Sequence, residues 1–132
     1  MAERIPFAMA IGEHERGRAL TEGRVQAEGL DLTVPTFQND GERHDKFLAG
    51  EYDACELSMG IYLTAHERSS EFTAIPVFPN RRFRHSYIFI NRDSGIRGPR
   101  DLAGKRFGIN SWLNTASVWV RGMLQHDHGL DL

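Results

Sequence analysis

The amino-acid sequence predicts an α/β fold in which a largely parallel sheet is flanked by helices. Runs rich in β-branched and aromatic residues alternate with helical stretches at the spacing typical of βαβ units. Glycine and proline residues mark several of the boundaries between these segments. The length of 132 residues, with 40% hydrophobic and 26% charged residues, is that of one ordinary globular domain.

The first half of the chain contains three predicted strands and three predicted helices. The strands are residues 5–12, 30–37 and 52–57. Pro35 cannot donate a hydrogen bond to a ladder, so the second strand lies at a sheet edge or ends there. The helices are residues 15–20, 42–49 and 58–67, and Ser58 is well suited to cap the third.

The second half contains three further predicted strands and a long final helix. The strands are residues 73–78, 85–91 and 106–110. Residues 99–104 form a turn or one helical turn, and the final helix runs from about Thr115 to His128. The last three residues resemble the beginning of another strand, so we expect this sequence to be the N-terminal part of a longer protein.

Ligands in open α/β sheets lie beyond the carboxyl ends of the strands. That rule selects five stretches, which are residues 12–16, 37–40, 56–59, 78–85 and 110–117. Polar and charged side chains concentrate in these stretches, so we expect a ligand to be bound there.

Composition argues against several classes of function. A net charge of −2 and a pI near 6.3 argue against a nucleic-acid-binding domain, which shows a broad basic face. No apolar run approaches the roughly 20 residues that cross a bilayer, and residues 1–17 make a poor secretory signal, so we expect a cytoplasmic protein. The single cysteine, Cys55, excludes an internal disulfide and a multi-cysteine zinc site, and we interpret it as a core residue.

Two histidine patterns are weak candidates for metal ligands, and the first, Glu13-His14-Glu15, is also a weak candidate for substrate contacts. His14 stands between two glutamates, where a solvated side chain is the more common arrangement. His126 and His128 are two positions apart at a helix end and so do not share a face. We therefore predict no metal site, and no glycine pattern indicates a phosphate loop or a dinucleotide site.

Positive charge gathers in one turn of this slightly acidic chain, the basic turn, made of Arg81, Arg82, Arg84 and His85. Arginine meets a carboxylate with two parallel hydrogen bonds, so the three arginines are candidates to bind an anion. Histidine titrates near neutrality, which makes His85 a candidate proton donor. The alternative is a solvated hairpin loop whose arginines pair with Asp40 or Glu42.

Glu56 follows a predicted buried strand and precedes a helix. Its carboxylate is a candidate to cap the helix amides, to accept a hydrogen bond from a ligand hydroxyl, or to act as an acid or base. Ser58 is either the cap of that helix or a donor to the ligand.

The start of the final helix is a further candidate, because free backbone N–H groups at a helix N-terminus bind anions. Asn114, Thr115 and Ser117 add side-chain donors there, and Asn114 is also a plain N-cap. Trp112 either stacks on an aromatic ring of the ligand or packs against the partner lobe.

Four motifs, in this order, give the sequence a family resemblance: GRALTEGRVQAEGLDL, EYDACELSMGIYL, AIPVFPNRRFRHSYIFIN and GPRDLAGKRFGI. Together they resemble the 4,5-dihydroxyphthalate decarboxylases, a family that is itself similar to ABC-transporter solute-binding proteins of the type II periplasmic-binding-protein fold. DLAGKRFGI is shared with many solute-binding proteins and so indicates fold only. IPVFPNRRFRHS and CELSMGIYL are closer to the decarboxylases.

The resemblance implies a two-lobed α/β protein, with residues 1–98 in lobe one and residues 99–132 forming the crossover and the start of lobe two. It implies non-oxidative removal of one carboxylate from an aromatic dicarboxylate such as 4,5-dihydroxyphthalate, giving a dihydroxybenzoate without a cofactor. His85 or Glu56 would then deliver the proton. The substrate would be bound by Arg81, Arg82, Arg84, Ser58, Asn114, Thr115 and Ser117.

The main alternative is a solute-binding protein that captures a small organic anion for an ABC importer and performs no chemistry. That protein would be periplasmic or extracellular, with its leader removed. A sensor or a biosynthetic relative on the same fold is a third possibility. In every case the expected partner is a small aromatic or organic carboxylate, with no nucleic acid and no membrane, and a homo-oligomer stays open.

Overall fold

The computed structural model describes residues 3–69 and 71–132. The chain divides into two compact units. The first comprises the residues up to Leu57 together with Val77–Pro79, and the second comprises Ser58–Pro76 together with Asn80–Leu132. The boundary predicted between residues 98 and 99 concerns the lobes of a two-lobed protein and stays a prediction.

A parallel three-stranded sheet forms the first unit. Its strands are β1 (Ile5–Ala10), β2 (Leu30–Thr33) and β3 (Ala54–Cys55), in the order β2-β1-β3. Ile5 lies opposite Leu30, and Met9 lies opposite Ala54. Two helices accompany the sheet, α1 (Arg18–Thr21) and α2 (Asp40–Leu48). The predicted α/β class, with a parallel sheet and flanking helices, is confirmed.

The strand order places a topological switch point between β1 and β3. From β1 the chain passes through α1 to β2, which lies at one edge of the sheet. It then passes through α2 to β3, which lies at the other edge. Sheets of this order bind ligands in the crevice beyond the carboxyl ends of the first and third strands. The segments that follow Ala10 and Cys55 are therefore the place to look for a site.

The local sequence accounts for the bounds of α2. The Asn39 side chain accepts a hydrogen bond from the Gly41 N–H at 2.8 Å, which satisfies one free amide at the helix start. Gly50, with a φ of 81°, adopts the left-handed conformation that follows many helix ends. The helix thus begins at Asp40, after the six residues that follow β2, and its residue Arg43 contacts the residue that follows β3.

The second unit contains two longer helices, α3 (Met59–Arg68) and α4 (Thr115–His126). Three short 3-10 turns lie between them along the chain, at His85–Tyr87, Arg92–Ser94 and Pro99–Leu102. The buried core is made of Val120, Leu124 and Leu130, against which pack the half-buried Ile88, Leu102 and Met123. The apolar face of α4 therefore organises this unit.

Three of the six predicted strands are wrong. Residues 73–78, 85–91 and 106–110 form no strand in the described part of the chain, and His85–Tyr87 is a 3-10 turn instead. These segments are rich in residues that favour strands, but that preference takes effect only where the side chains can pack on a neighbouring strand. Phe83 and Phe89 are 86% and 87% exposed, which shows that such packing is missing there. Likewise β2 ends at Thr33, two residues before Pro35, and residues 130–132 form no strand.

Candidate functional site

The segments after β1 and β3 meet at the carboxylate of Glu56. The Gly12 N–H donates a hydrogen bond to Glu56 Oε2 at 3.0 Å. His14 Nε2 lies 2.9 Å from the same oxygen. The two side chains are only 19% and 14% exposed. The contact therefore joins the two strand ends at the switch point of the sheet.

The hydrogen bonds of His14 determine where its proton lies. The Gly17 N–H donates to His14 Nδ1 at 3.0 Å, so Nδ1 acts as an acceptor and carries no hydrogen. The ring in this arrangement is the neutral tautomer with its hydrogen on Nε2, and Nε2 donates to Glu56. His14 thus connects the start of α1 to the glutamate, and the interpretation of His14 as a solvated side chain is wrong.

A buried guanidinium on α2 holds the main chain of the same glutamate. Arg43 is 4% exposed, and its Nε donates to the Glu56 carbonyl oxygen at 3.3 Å. Its Nη1 donates to Asp40 Oδ1 at 2.7 Å. Arg43 therefore ties the first turn of α2 to the end of β3.

His44 completes this arrangement as a neutral acceptor. Arg43 Nη2 lies 3.3 Å from His44 Nε2 and donates to it, because an arginine has no acceptor atom. Burial, followed by the charge of Arg43, lowers the pKa of His44. We call Gly12, His14, Arg43, His44 and Glu56 the acid–base cluster.

Gly12 leaves the space that this cluster requires. A Cβ atom at residue 12 would lie 3.0 Å from Arg43 Nη1 and 3.3 Å from Glu56 Oε2. Both distances are shorter than ordinary van der Waals contact, so a side chain there would press on the guanidinium and the carboxylate.

Of this cluster, the sequence predicted only Glu56 as a site residue. Arg43 and His44 were missed, although Asp40 and Arg43 at positions i and i+3 of a helix that follows a strand are a usable signal. Neighbouring Cys55 is a neutral thiol at pH 7, since burial raises its pKa to about 11. Cys55 itself is half-buried and is not one of the buried core residues.

The basic turn lies in the second unit, and two of its arginines converge on Tyr87. Arg82 Nη1 donates to the Tyr87 hydroxyl at 3.3 Å, and its Nε donates to Asn80 Oδ1 at 3.1 Å. The Arg84 guanidinium lies over the Tyr87 ring, 5.1 Å from the centroid. The hydrogen bond from Arg82 lowers the pKa of Tyr87. Tyr87 was not predicted as part of this group.

The other two members of the basic turn are exposed. Arg81 is exposed, and His85 begins the 3-10 turn with its ring 6.5 Å from that of Phe83. The suggested partners of the arginines, Asp40 and Glu42, pair instead with Arg43 and Lys46 on α2. The predicted roles of the basic turn in binding and proton transfer stay predictions.

The start of α4 is built around hydroxyl and amide hydrogen bonds. Asn114 Oδ1 accepts from the N–H of the buried Ser117 at 3.1 Å, so Asn114 is the N-cap. The hydroxyls of Ser58 and Thr115 are 2.6 Å apart, and Thr115 also accepts from the Gly60 N–H at 3.2 Å. Ser58 occupies the N-cap position of α3, but its hydroxyl bonds to Thr115 rather than to a helix amide.

Trp112 is 65% exposed, and its predicted packing against the partner lobe and its predicted stacking on an aromatic ring stay predictions. The Arg121 guanidinium lies 3.4 Å from the centroid of the Trp112 ring and donates to the Trp112 carbonyl oxygen.

Two negative findings apply to residues 3–69 and 71–132. There, His, Cys, Asp and Glu side chains nowhere gather in threes in a way that could hold a metal ion. The same residues contain no helix that is both long and apolar enough to cross a membrane.

Comparison with known proteins shows to which protein family the chain belongs. The family described as "ABC transporter, phosphonate, periplasmic substrate-binding protein" matches residues 25–132. The chain belongs to this family of periplasmic-binding-protein-like domains. It is also similar to two curated proteins, each named 4,5-dihydroxyphthalate decarboxylase. Identity is 39% over 128 residues with that of Comamonas testosteroni and 40% over 131 residues with that of Pseudomonas putida.

The coverage of these two relatives is uneven. Each match spans 96% of this chain, but the chain spans only 39% of the Comamonas protein and 50% of the Pseudomonas protein. Both resemblances inferred from the sequence motifs are confirmed.

Proposed function

We propose that the protein removes one carboxylate, without oxidation, from an aromatic dicarboxylate such as 4,5-dihydroxyphthalate and yields a dihydroxybenzoate. The observation that carries the proposal is the identity of 39% and 40% to two proteins named for this activity over 96% of the chain. That span includes both the acid–base cluster and the basic turn. The proposed enzyme acts in the cytoplasm.

The reaction needs few chemical groups. A proton first bonds to the ring carbon that carries the leaving carboxylate. The bond between that carbon and the carboxylate then breaks, carbon dioxide departs, and the electron pair of that bond restores the aromatic ring. One proton is consumed and nothing is oxidised or reduced, so no redox cofactor is required. A hydroxyl para to that carbon stabilises the cation-like ring intermediate by donating electron density.

We assign roles within this reaction by chemistry. Arg82 and Arg84, with Arg81, bind carboxylate, because a guanidinium offers paired donors to it. Glu56 or His85 transfers the proton. Further donors to the substrate come from Ser58, Asn114, Thr115 and Ser117.

A direct assay tests the proposal. The purified protein is incubated with 4,5-dihydroxyphthalate, while carbon dioxide is trapped and aromatic products are separated by chromatography. We expect carbon dioxide and a dihydroxybenzoate in equal amounts. Saturable binding without carbon dioxide release would overturn the enzymatic proposal.

The match to the periplasmic substrate-binding family over residues 25–132 favours a second candidate. In that case the protein captures a small organic anion for an importer, acts in the periplasm and leaves its ligand unchanged. Thermal-shift screening of 4,5-dihydroxyphthalate, phthalate and an alkylphosphonate separates the two. Binding of 4,5-dihydroxyphthalate without turnover supports the second candidate, whereas release of carbon dioxide excludes it.

A further inference from the structure

The hydrogen bonds of Glu56 are distributed unequally between its two carboxylate oxygens. Oε2 lies within hydrogen-bonding distance of both His14 Nε2 and the Gly12 N–H, at 2.9 and 3.0 Å. Within the described part of the chain, Oε1 accepts no hydrogen bond. The carboxylate is therefore fixed through one oxygen, and the other oxygen is available as an acceptor.

Three features fix the orientation of this side chain. His14 is itself held by the Gly17 N–H, so its Nε2–H is aimed at Oε2. Arg43 holds the main-chain carbonyl of the same glutamate. The missing side chain at Gly12 leaves room for the Glu56 carboxylate beside the end of β1. A group held in this way is preorganised for one kind of partner.

The available oxygen accepts hydrogen bonds and does not donate them. An ionised carboxylate is an acceptor only, so a ligand atom at Oε1 must carry a hydrogen. A ligand carboxylate would bring a second negative charge to this place, whereas a phenolic hydroxyl would supply the required donor.

We propose that His14 is a positioning residue that fixes Glu56 so that Oε1 selects a hydroxyl group of the ligand. The inference rests on the proposed function only in taking the ligand to be a hydroxylated aromatic acid. In the decarboxylation, His85 then protonates the ring carbon, while Glu56 accepts the hydrogen bond of the para hydroxyl and takes its proton as electron density moves into the ring. The hydroxyl regains that proton when carbon dioxide has left.

The test compares two ligands that differ only in the hydroxyls. Phthalate and 4,5-dihydroxyphthalate carry the same two carboxylates, and their dissociation constants are measured by titration calorimetry. A charge-assisted hydrogen bond corresponds to a preference of at least about tenfold for the dihydroxylated ligand. We expect this preference in the unmodified protein.

Glu56→Gln replaces the acceptor Oε1 with an NH2 group, which is a donor. His14 and Gly12 both donate, so the amide oxygen of the new side chain takes the place of Oε2 and its NH2 group takes the place of Oε1. We expect the preference for the dihydroxylated ligand to fall about tenfold, with phthalate affinity within about threefold of its original value. Glu51→Gln, at an exposed glutamate before β3, is the matched control and keeps the preference.

Two substitutions of His14 separate its positioning role from a structural role. The side-chain amide of His14→Gln can donate to Glu56 as Nε2 does. His14→Asn offers an acceptor to the Gly17 N–H but has no donor that reaches Glu56. We expect the glutamine variant to retain most of the preference and the asparagine variant to lose it. A purely structural role would produce the opposite order or equal effects.

Carbon dioxide release is measured in the same samples, so whenever a ligand binds the results separate this inference from the proposed function. If the preference is present and depends on Glu56, but no carbon dioxide appears, the decarboxylase proposal fails and the inference stands. If carbon dioxide appears but Glu56→Gln leaves the preference unchanged, the inference fails alone. If neither ligand binds, both are contradicted.

Discussion

Residue 60 of α3 packs directly on the main chain that precedes α4, because a Cβ atom at Gly60 would collide with the carbonyl oxygen of Leu113. Gly60 is buried, and its N–H donates to the Thr115 hydroxyl at 3.2 Å. The 2.6 Å contact between the hydroxyls of Ser58 and Thr115 lies beside it. Together these contacts attach the beginning of α3 to the beginning of α4.

The first prediction follows from this close approach. Gly60→Ala should lower the free energy of unfolding by about 1–3 kcal/mol, because the new methyl group meets backbone that cannot rotate away. Gly122→Ala on α4 is the control, since a Cβ there meets no atom within 4 Å. It should raise the free energy of unfolding by about 0.4–1 kcal/mol. Urea denaturation measures both, and equal changes would contradict the packing of α3 on residue 113.

The second prediction concerns Arg43. Arg43→Met should lower the free energy of unfolding by about 1–3 kcal/mol, because the Glu56 carbonyl and the His44 ring lose their donor. Asp40 adds little to that loss, since its side chain is 77% exposed and water can solvate the freed carboxylate.

Arg24→Met provides the comparison for Arg43. Arg24 also pairs with an acid, Glu22, but both side chains are about half exposed or more. Exposed pairs of this kind contribute about 0–1 kcal/mol, so the change in unfolding free energy should be correspondingly small. If both methionine variants unfold at the same urea concentration, Arg43 does not have the structural role assigned to it.

The third prediction is a dependence of stability on pH. Burial and Arg43 lower the pKa of His44 below its ordinary value of 6.5, so the unfolded chain binds this proton more readily than the folded protein does. The contribution of neutral His44 is therefore complete above about pH 6.5. It is lost as the pH falls from there towards the folded pKa, by at most about 1.4 kcal/mol per pH unit.

The variant His44→Gln checks this dependence. Its amide oxygen can still accept from Arg43, but the side chain does not titrate. Urea denaturation between pH 5 and 8 should show a shallower loss of stability in acid for the variant than for the unmodified protein. Parallel curves would exclude His44 as the group responsible.

The fourth prediction separates ligand binding from structure at Arg84. Arg84→Ala should weaken the binding of a dicarboxylate by about tenfold or more, because a charge-assisted hydrogen bond is lost, and should change the affinity for neutral catechol far less. Arg100→Ala, at an exposed arginine in the turn Pro99–Leu102, is the control and should leave both affinities unchanged. Equal loss for both ligands would show that Arg84 acts only through its packing on Tyr87.

The strands and the helix α2 of the first unit were predictable because the residues that determine where they begin and end are close to them in the sequence. β1 to β3 and α2 appear close to their predicted places, and Asn39 and Gly50 mark the ends of that helix with their own chemistry. The α/β class and the place of Glu56 directly after a strand followed from the order of these elements and from the rule on strand ends.

The second unit was less predictable because its strand-like segments depend on partners. The segments around Phe83 and Phe89 have the residues that strands prefer, yet they have no neighbouring strand in the described part of the chain. Similarly, no property of His14 alone shows that Glu56 is its partner, since 42 residues separate them along the chain. A contact between two residues so far apart in the sequence can be identified only when the fold is known.

The central claim is that this protein protonates a ring carbon as carbon dioxide leaves it. The most direct measurement is to react the protein with 4,5-dihydroxyphthalate in D2O and to analyse the aromatic product by NMR and mass spectrometry. The account predicts a dihydroxybenzoate with one deuterium at the ring position that lost the carboxylate, formed in equal amount with carbon dioxide. Recovery of bound but unchanged dihydroxyphthalate, with no carbon dioxide, would contradict it.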